Sequence, residues 1–111
     1  LTINGAKIIT ARNGYEAISM AIENSPDIIL MDIQMPDMGG YDAIQFMRDE
    51  PNLSNIPIIV LTGLSMSDDR ERCLKAGANE YVNKTDSLRH LVGVINKLLE
   101  DKETITAYGK N

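Results

Sequence analysis

Asp27-Ile28-Ile29-Leu30-Met31-Asp32 places four consecutive apolar residues between two carboxylates. A strand with one wet face alternates apolar and polar residues. An unbroken apolar run of this length, rich in β-branched residues, instead predicts a strand buried on both faces, the habit of a parallel sheet between helices. Pro57-Ile-Ile-Val-Leu-Thr62 repeats the pattern, and shorter versions stand at Ala6–Ala11 and Glu80–Lys84. Helical spacing fills the intervals. Ala17, Ile18, Ala21 and Ile22 share a face between Asn13-Gly14 and Ser25-Pro26. A second helix is expected from near Gly40, carrying Ile44 and Met47 and ending before Pro51. A third runs from a Ser67 cap, with Asp68 and Asp69 in its first turn, to a stop at Gly77. The last carries Leu88, Leu91, Val92, Ile95, Leu98 and Leu99 as one stripe, capped by Thr85 or Asp86. Four strand–helix alternations predict an α/β fold with a parallel sheet and helices on both faces.

The 111 residues suit one domain, and 43% apolar content is enough for a core. We expect that domain over residues 1–101, with 102–111, which lack apolar periodicity, as a tail or linker. Eleven basic against sixteen acidic residues, a net charge of -5, speak against direct nucleic-acid binding, which wants a basic face. The chain has no Trp and one Phe, Phe46, so stacking on bases has little to use. A single cysteine, Cys73, cannot close an internal disulfide, and no Cys/His cluster offers a zinc site. No apolar run reaches the roughly 18 residues of a membrane span, and no signal peptide opens the chain. The expected setting is the cytoplasm, away from membranes.

In a parallel sheet, ligands gather at the carboxyl ends of the strands. Three of the four runs end there in a chemically capable side chain: Asp32, Thr62 and Lys84. Strands about 4.8 Å apart let such residues meet around one small anion. A carboxylate can act as nucleophile or metal ligand, a hydroxyl donates a hydrogen bond, and an ammonium neutralises phosphate charge. The set suits a phosphoryl group accepted on Asp32, with Thr62, Lys84 and a divalent cation sharing the charge of the equatorial oxygens. Taken singly, Asp32 reads first as a turn or cap residue, Thr62 as a strand or cap residue and Lys84 as a solvated charge; only their joint placement shifts the reading.

The segment from Asp27 to Gly40, with Asp32-Ile-Gln-Met-Pro36, resembles the phosphoacceptor segment of response-regulator receiver domains, the CheY-like family. At family spacing follow Pro57-Ile-Ile-Val-Leu-Thr62-Gly63 and Ala76-Gly77-Ala78-Asn79-Glu80-Tyr81-Val82-Asn83-Lys84, and Ala11–Ala17 resembles the second strand-to-helix turn. The resemblance covers about residues 6 to 100. It implies a flavodoxin-like fold and a signalling switch rather than a turnover enzyme. By position, Asp32 would be phosphorylated by a histidine kinase or a histidine-containing phosphotransfer protein. Thr62 would bond the phosphoryl group and Lys84 would pair with acceptor and phosphate. Tyr81 would be the switch aromatic that follows Thr62, and its other reading, a half-buried strand tyrosine, stays open. Gly63 would leave room for the donor. Mg²⁺ would be held by Asp32 and the backbone carbonyl of Gln34, and homodimerisation is a family expectation. Pro36 and Gly39-Gly40 would shape the loop, while Met35, Met38 and Met66 flank the edge and read as well as gap-filling core. The Asp-Ile-Gln-Met-Pro wording is common in receivers attached to hybrid histidine kinases.

Two departures stand out. The family opens on a strand ending in an acidic pair, followed by a helix; here no acid precedes Glu16, and that first βα unit is absent. The Mg²⁺ site is therefore expected to be weak. In the family order 2-1-3-4-5, Ala6–Ala11 would be left without a neighbour, and we expect a piece of a longer reading frame or, second, a swapped or partner-supplied strand. After Lys84 stands Thr85 where the family has a cis proline. Since cis geometry before a non-proline costs roughly 2.5–4 kcal/mol, a trans bond is expected, which puts the reach of Lys84 in question.

Two other function classes compete. A pseudo-receiver would keep the fold as a phosphorylation-independent interaction module. A haloacid-dehalogenase-like phosphatase would need a second Asp two positions after the nucleophile, where Gln34 stands. His90, alone on the last helix, is expected to face solvent.

Overall fold

The structure, a computed structural model, describes residues 2–33, 38–63 and 68–109, with the backbone alone for Met38 and 102–109. Strands β1 (Thr2–Ile3), β2 (Ala6–Ala11), β3 (Ile28–Ile33), β4 (Ile58–Thr62) and β5 (Glu80–Asn83) form one sheet in the order 1-2-3-4-5. Helices α1 (Gly14–Asn24), α2 (Met38–Asp49), α3 (Asp69–Ala76) and α4 (Leu88–Gly109) alternate with them. The β2–β3, β3–β4 and β4–β5 pairs are parallel; β1 runs antiparallel to β2.

The expectation that Ala6–Ala11 would lack a neighbour is overturned. β2 pairs directly with β3, from Ile8↔Ile28 to Ala11↔Met31. The ladder satisfies backbone groups that would otherwise be buried without partners, and it sandwiches Ile8 and Ala11 between the helix layers. β1 went unforeseen. Asn4 (φ 53°) and Gly5 (φ 83°) form the two-residue turn of a hairpin, with both φ values positive, as a type I′ turn requires. That hairpin covers the first two residues of β2's outer edge.

Alternation along the strands divides the core. Ala11, Ile29, Met31, Ile58 and Val60 face α1, α2 and α3, against Ala17, Ala21, Ile44, Met47 and Cys73. Ala6, Ile8, Ile28, Leu30, Ile59 and Val82 face α4, which contributes buried Ile95 with Leu91, Val94, Leu98 and Leu99 half-buried beside it. The predicted apolar stripes are wider than the faces actually buried. Leu88 is 75% exposed and Ile22 63%, while Val94 rather than Val92 joins the core. The boundary expected at Asp101 lies within α4, whose helical backbone continues to Gly109.

Local chemistry sets the helix ends. Asn13 Oδ1 accepts the Glu16 N–H at 2.8 Å, and Glu16 Oε1 reaches back to the Arg12 N–H at 3.2 Å, a reciprocal cap. Gly14 is required by crowding. A Cβ there would come within 2.5 Å of the Ala43 Cβ and 2.7 Å of the Gly39 carbonyl oxygen, so its absence lets α1 seat on the start of α2. Gly77 ends α3 at φ +123°, donating to the Cys73 and Leu74 carbonyls. α4 is capped by Ser87, whose Oγ accepts the His90 N–H at 3.1 Å, rather than by Thr85 or Asp86. Ser67, the expected cap of α3, lies outside the described residues.

Candidate functional site

The carboxyl ends of β3, β4 and β5 form one rim. Register places Asp32 opposite Leu61 and Ile33 opposite Thr62, so Thr62 stands one step beyond Asp32 on the neighbouring strand. Thr62 in turn pairs with Asn83, and its carbonyl accepts the Lys84 N–H at 2.7 Å. Lys84 sends its ammonium back across β4 to an ion pair with Asp32 Oδ1. That oxygen is shielded from solvent and accepts no directed hydrogen bond; the ammonium is what it faces.

Both side chains remain partly exposed, at 39% for Lys84 and 35% for Asp32. A pair in that environment adds roughly 0–1 kcal/mol to stability, so the fold has little use for it. Among the described residues no peptide bond is cis. The bond before Thr85 is therefore trans, as expected, and Lys84 reaches Asp32 nonetheless.

Three of the other expected site residues, Thr62, Gly63 and Tyr81, are among the described ones. Thr62 is fully buried and Gly63 half-buried. Tyr81 lies on β5 opposite Val60, half-buried against the three-helix face of the core. Gln34, Met35, Pro36 and Met66 fall outside the described residues. His90 is exposed, as expected.

A hard divalent cation takes six or more oxygen ligands. Among the described residues no three His, Cys, Asp or Glu side chains cluster to supply them. On the flank of β3 away from β4, the β2 ladder ends at Ala11↔Met31, one residue short of Asp32. Glu16, the nearest acid in sequence, is engaged as a cap. The described residues thus do not fit a Mg²⁺ site.

Beyond the rim, α2 and α3 share a polar contact that the sequence did not announce. The Tyr41 hydroxyl donates to Asp69 Oδ1 at 3.4 Å, and the Arg72 guanidinium lies 4.7 Å from the Tyr41 ring centroid. Burial, with neighbouring Cys73 and Asp69, pushes the Tyr41 hydroxyl up to about 12. Burial, then Asp69, pushes the Cys73 thiol up to about 11. Both groups hold their protons more tightly folded than unfolded. Their contribution is therefore complete below pH 9 and is lost as pH rises from 9 to 12. Urea midpoints measured across that window should fall for the wild type and fall less for a Tyr41→Phe, Cys73→Ala double variant; parallel decline would rule the burial effect out.

The family model described as response regulator receiver domain matches residues 1–96. A polar-differentiation response regulator, DivK, of Brucella anthropi is 37% identical over 98 residues, covering 88% of this chain and 80% of that protein. Among solved structures, the signal receiver domain of a signal transduction histidine kinase from Syntrophus aciditrophicus superposes with a TM-score of 0.72. It is 27% identical, with 86% of this chain and 91% of that one covered. The receiver domain of a sensor histidine kinase from Pseudomonas aeruginosa, solved with magnesium coordinated in its active-site cleft, also scores 0.72, at 26% identity and coverages of 86% and 98%. Mg²⁺ is thus at home in the family. Among the described residues no helix is long and apolar enough to cross a membrane. With the fold, the rim and the matched model in agreement, the chain belongs to the response regulator receiver domain family of two-component signalling.

Proposed function

We propose that this receiver is a phosphorylatable switch whose acceptor is Asp32. The observation that supports the reading best is the ion pair from Lys84 across β4 to Asp32, which adds little to the fold yet holds a cation where phosphate charge would develop. The donor is a phosphohistidine on a histidine kinase or phosphotransfer protein. An Asp32 carboxylate oxygen attacks phosphorus and the phosphorus–nitrogen bond breaks. Imidazole leaves with the electron pair and takes up a proton, and an acyl phosphate remains.

Lys84 neutralises the oxygens gathered around phosphorus. Thr62, one step along the rim, donates its hydroxyl to the phosphoryl group, and Tyr81 repacks with it. Gly63 leaves space for the donor. Gln34, whose carbonyl the resemblance assigns to Mg²⁺, lies outside the described residues, and the described ones do not complete the shell of the ion. The added charge, roughly -1.5 to -2, alters the surface of the last two strand–helix units, through which partners, a second copy included, sense the change. Residues 1–101 are assigned as the switching unit and 102–111 as a tail or linker, although the α4 backbone runs on to Gly109. A kinase drawing on ATP sets the exchange in the cytoplasm.

A second reading, a phosphorylation-independent interaction module, is favoured by the lack of a carboxylate cluster among the described residues. One experiment separates the two. Incubated with phosphoramidate, the 111-residue chain should take up an acid-stable, base-labile label, mapped to Asp32 and abolished by Asp32→Asn. Absence of label in the wild type, or undiminished label in the variant, would favour the module.

A further inference from the structure

We infer that Asn83 is a positioning residue: its side-chain carbonyl holds the turn that carries Lys84 and so aims the ammonium at Asp32. Lys84 is the first residue past the β4–β5 ladder, which ends at Thr62↔Asn83. A lysine on a flexible four-carbon stem has many rotamers, so its aim depends on how firmly its Cα is held. Here the backbone is tied on both sides. Behind, the Lys84 N–H donates to the Thr62 carbonyl at 2.7 Å. Ahead, Asn83 Oδ1 accepts the Thr85 N–H at 2.9 Å and the Thr85 hydroxyl at 2.8 Å, bridging over Lys84, and the Asp86 N–H closes the turn onto the Asn83 carbonyl at 2.9 Å. This is an Asx-turn, in which a side-chain carbonyl substitutes for a backbone one. Lys84 is itself 39% exposed, so the turn, more than packing around the stem, sets where the chain departs from the strand.

Thr85 therefore has a purpose in this sequence as the double donor that Asn83 grips. The chemical consequence rests on the proposal that Asp32 accepts phosphate; the geometric one does not. Two readouts keep them apart: the nuclear Overhauser effect between the Lys84 ε-methylene and the Asp32 β-methylene, and the rate of labelling by phosphoramidate. Asn83→Ala should weaken the first and slow the second about three- to tenfold, as loss of bonds of this kind implies, with a thermal midpoint close to that of the wild type. Asn83→Ser, whose hydroxyl can accept the Thr85 N–H, should recover about half of both effects.

An undiminished Lys84–Asp32 contact in Asn83→Ala overturns the inference, as does a series in which contact and rate merely follow the thermal midpoint. If the contact follows Asn, Ser, Ala in that order while even the wild type takes no label, the positioning role stands and the phosphoacceptor reading falls. Should Asn83→Ala not fold, Asn83→Ser decides alone: an intermediate contact supports the role and a wild-type contact overturns it.

Discussion

Lys84→Met should slow labelling of Asp32 by phosphoramidate on the order of 100-fold, while shifting the unfolding free energy by only about 1 kcal/mol or less. The two magnitudes differ because the same ammonium acts in two settings. In the resting protein it pairs with a carboxylate that water also reaches, and methionine keeps most of its stem packing. During transfer it stands beside oxygens that collect charge on a site screened by the donor. There the loss of one positioned donor costs about 2.7–4 kcal/mol, each 1.36 kcal/mol being tenfold in rate. Rates from label incorporation and stabilities from urea titration, taken on the same preparations, test the split. A variant that loses stability in step with rate would make Lys84 a structural residue and remove the main support for the phosphoacceptor reading.

Arg48→Met is expected to do the reverse, destabilising the fold by about 2–4 kcal/mol, because a half-buried guanidinium that serves four acceptors is lost. The Arg48 side chain leaves the last turn of α2 and donates to the Gly77 carbonyl at 2.8 Å, the Ser54 and Ile56 carbonyls at 3.1 and 2.9 Å, and Asn79 Oδ1 at 2.9 Å. Asn79 Oδ1 also accepts the Ile58 N–H at 2.9 Å, so the network reaches the first residue of β4. Burial lowers the affinity of the guanidinium for its proton, and the surrounding acceptors offset that loss of hydration. Methionine would fill much of the volume and leave those acceptors unpaired, at about 1–3 kcal/mol for each that water cannot reach. A lower urea midpoint at unchanged slope is the expected signature; a loss below about 1 kcal/mol would mean that water replaces the guanidinium freely.

Arg48 also marks where reading the sequence stops. Its place in the last turn of α2 suits the helix dipole. Its partners stand six to thirty-one residues further along the chain. Asn83 and Thr85 carry a fainter local signal, an amide two positions before a hydroxyl, while Thr85 also reads as a cap of the last helix. The Asn4-Gly5 hairpin is local in sequence, but its first strand is only Thr2–Ile3. The gap expected beside Ala6–Ala11 was wrong for a different reason: it assumed a neighbour order, and order is decided by which edges find partners.

What the chain determined by itself was everything that depends on side-chain period and residue type: four buried runs, four amphipathic intervals, and a polar residue at the end of three strands. Such patterns survive in one dimension because a strand buried on both faces has no alternative to continuous apolar sequence. Tertiary structure alone decided that β2 lies against β3, that α4 buries only part of its apolar stripe, and that Lys84 crosses β4 to meet Asp32. Those outcomes depend on pairing and register between segments distant in the chain, where backbone hydrogen bonds and burial are satisfied jointly.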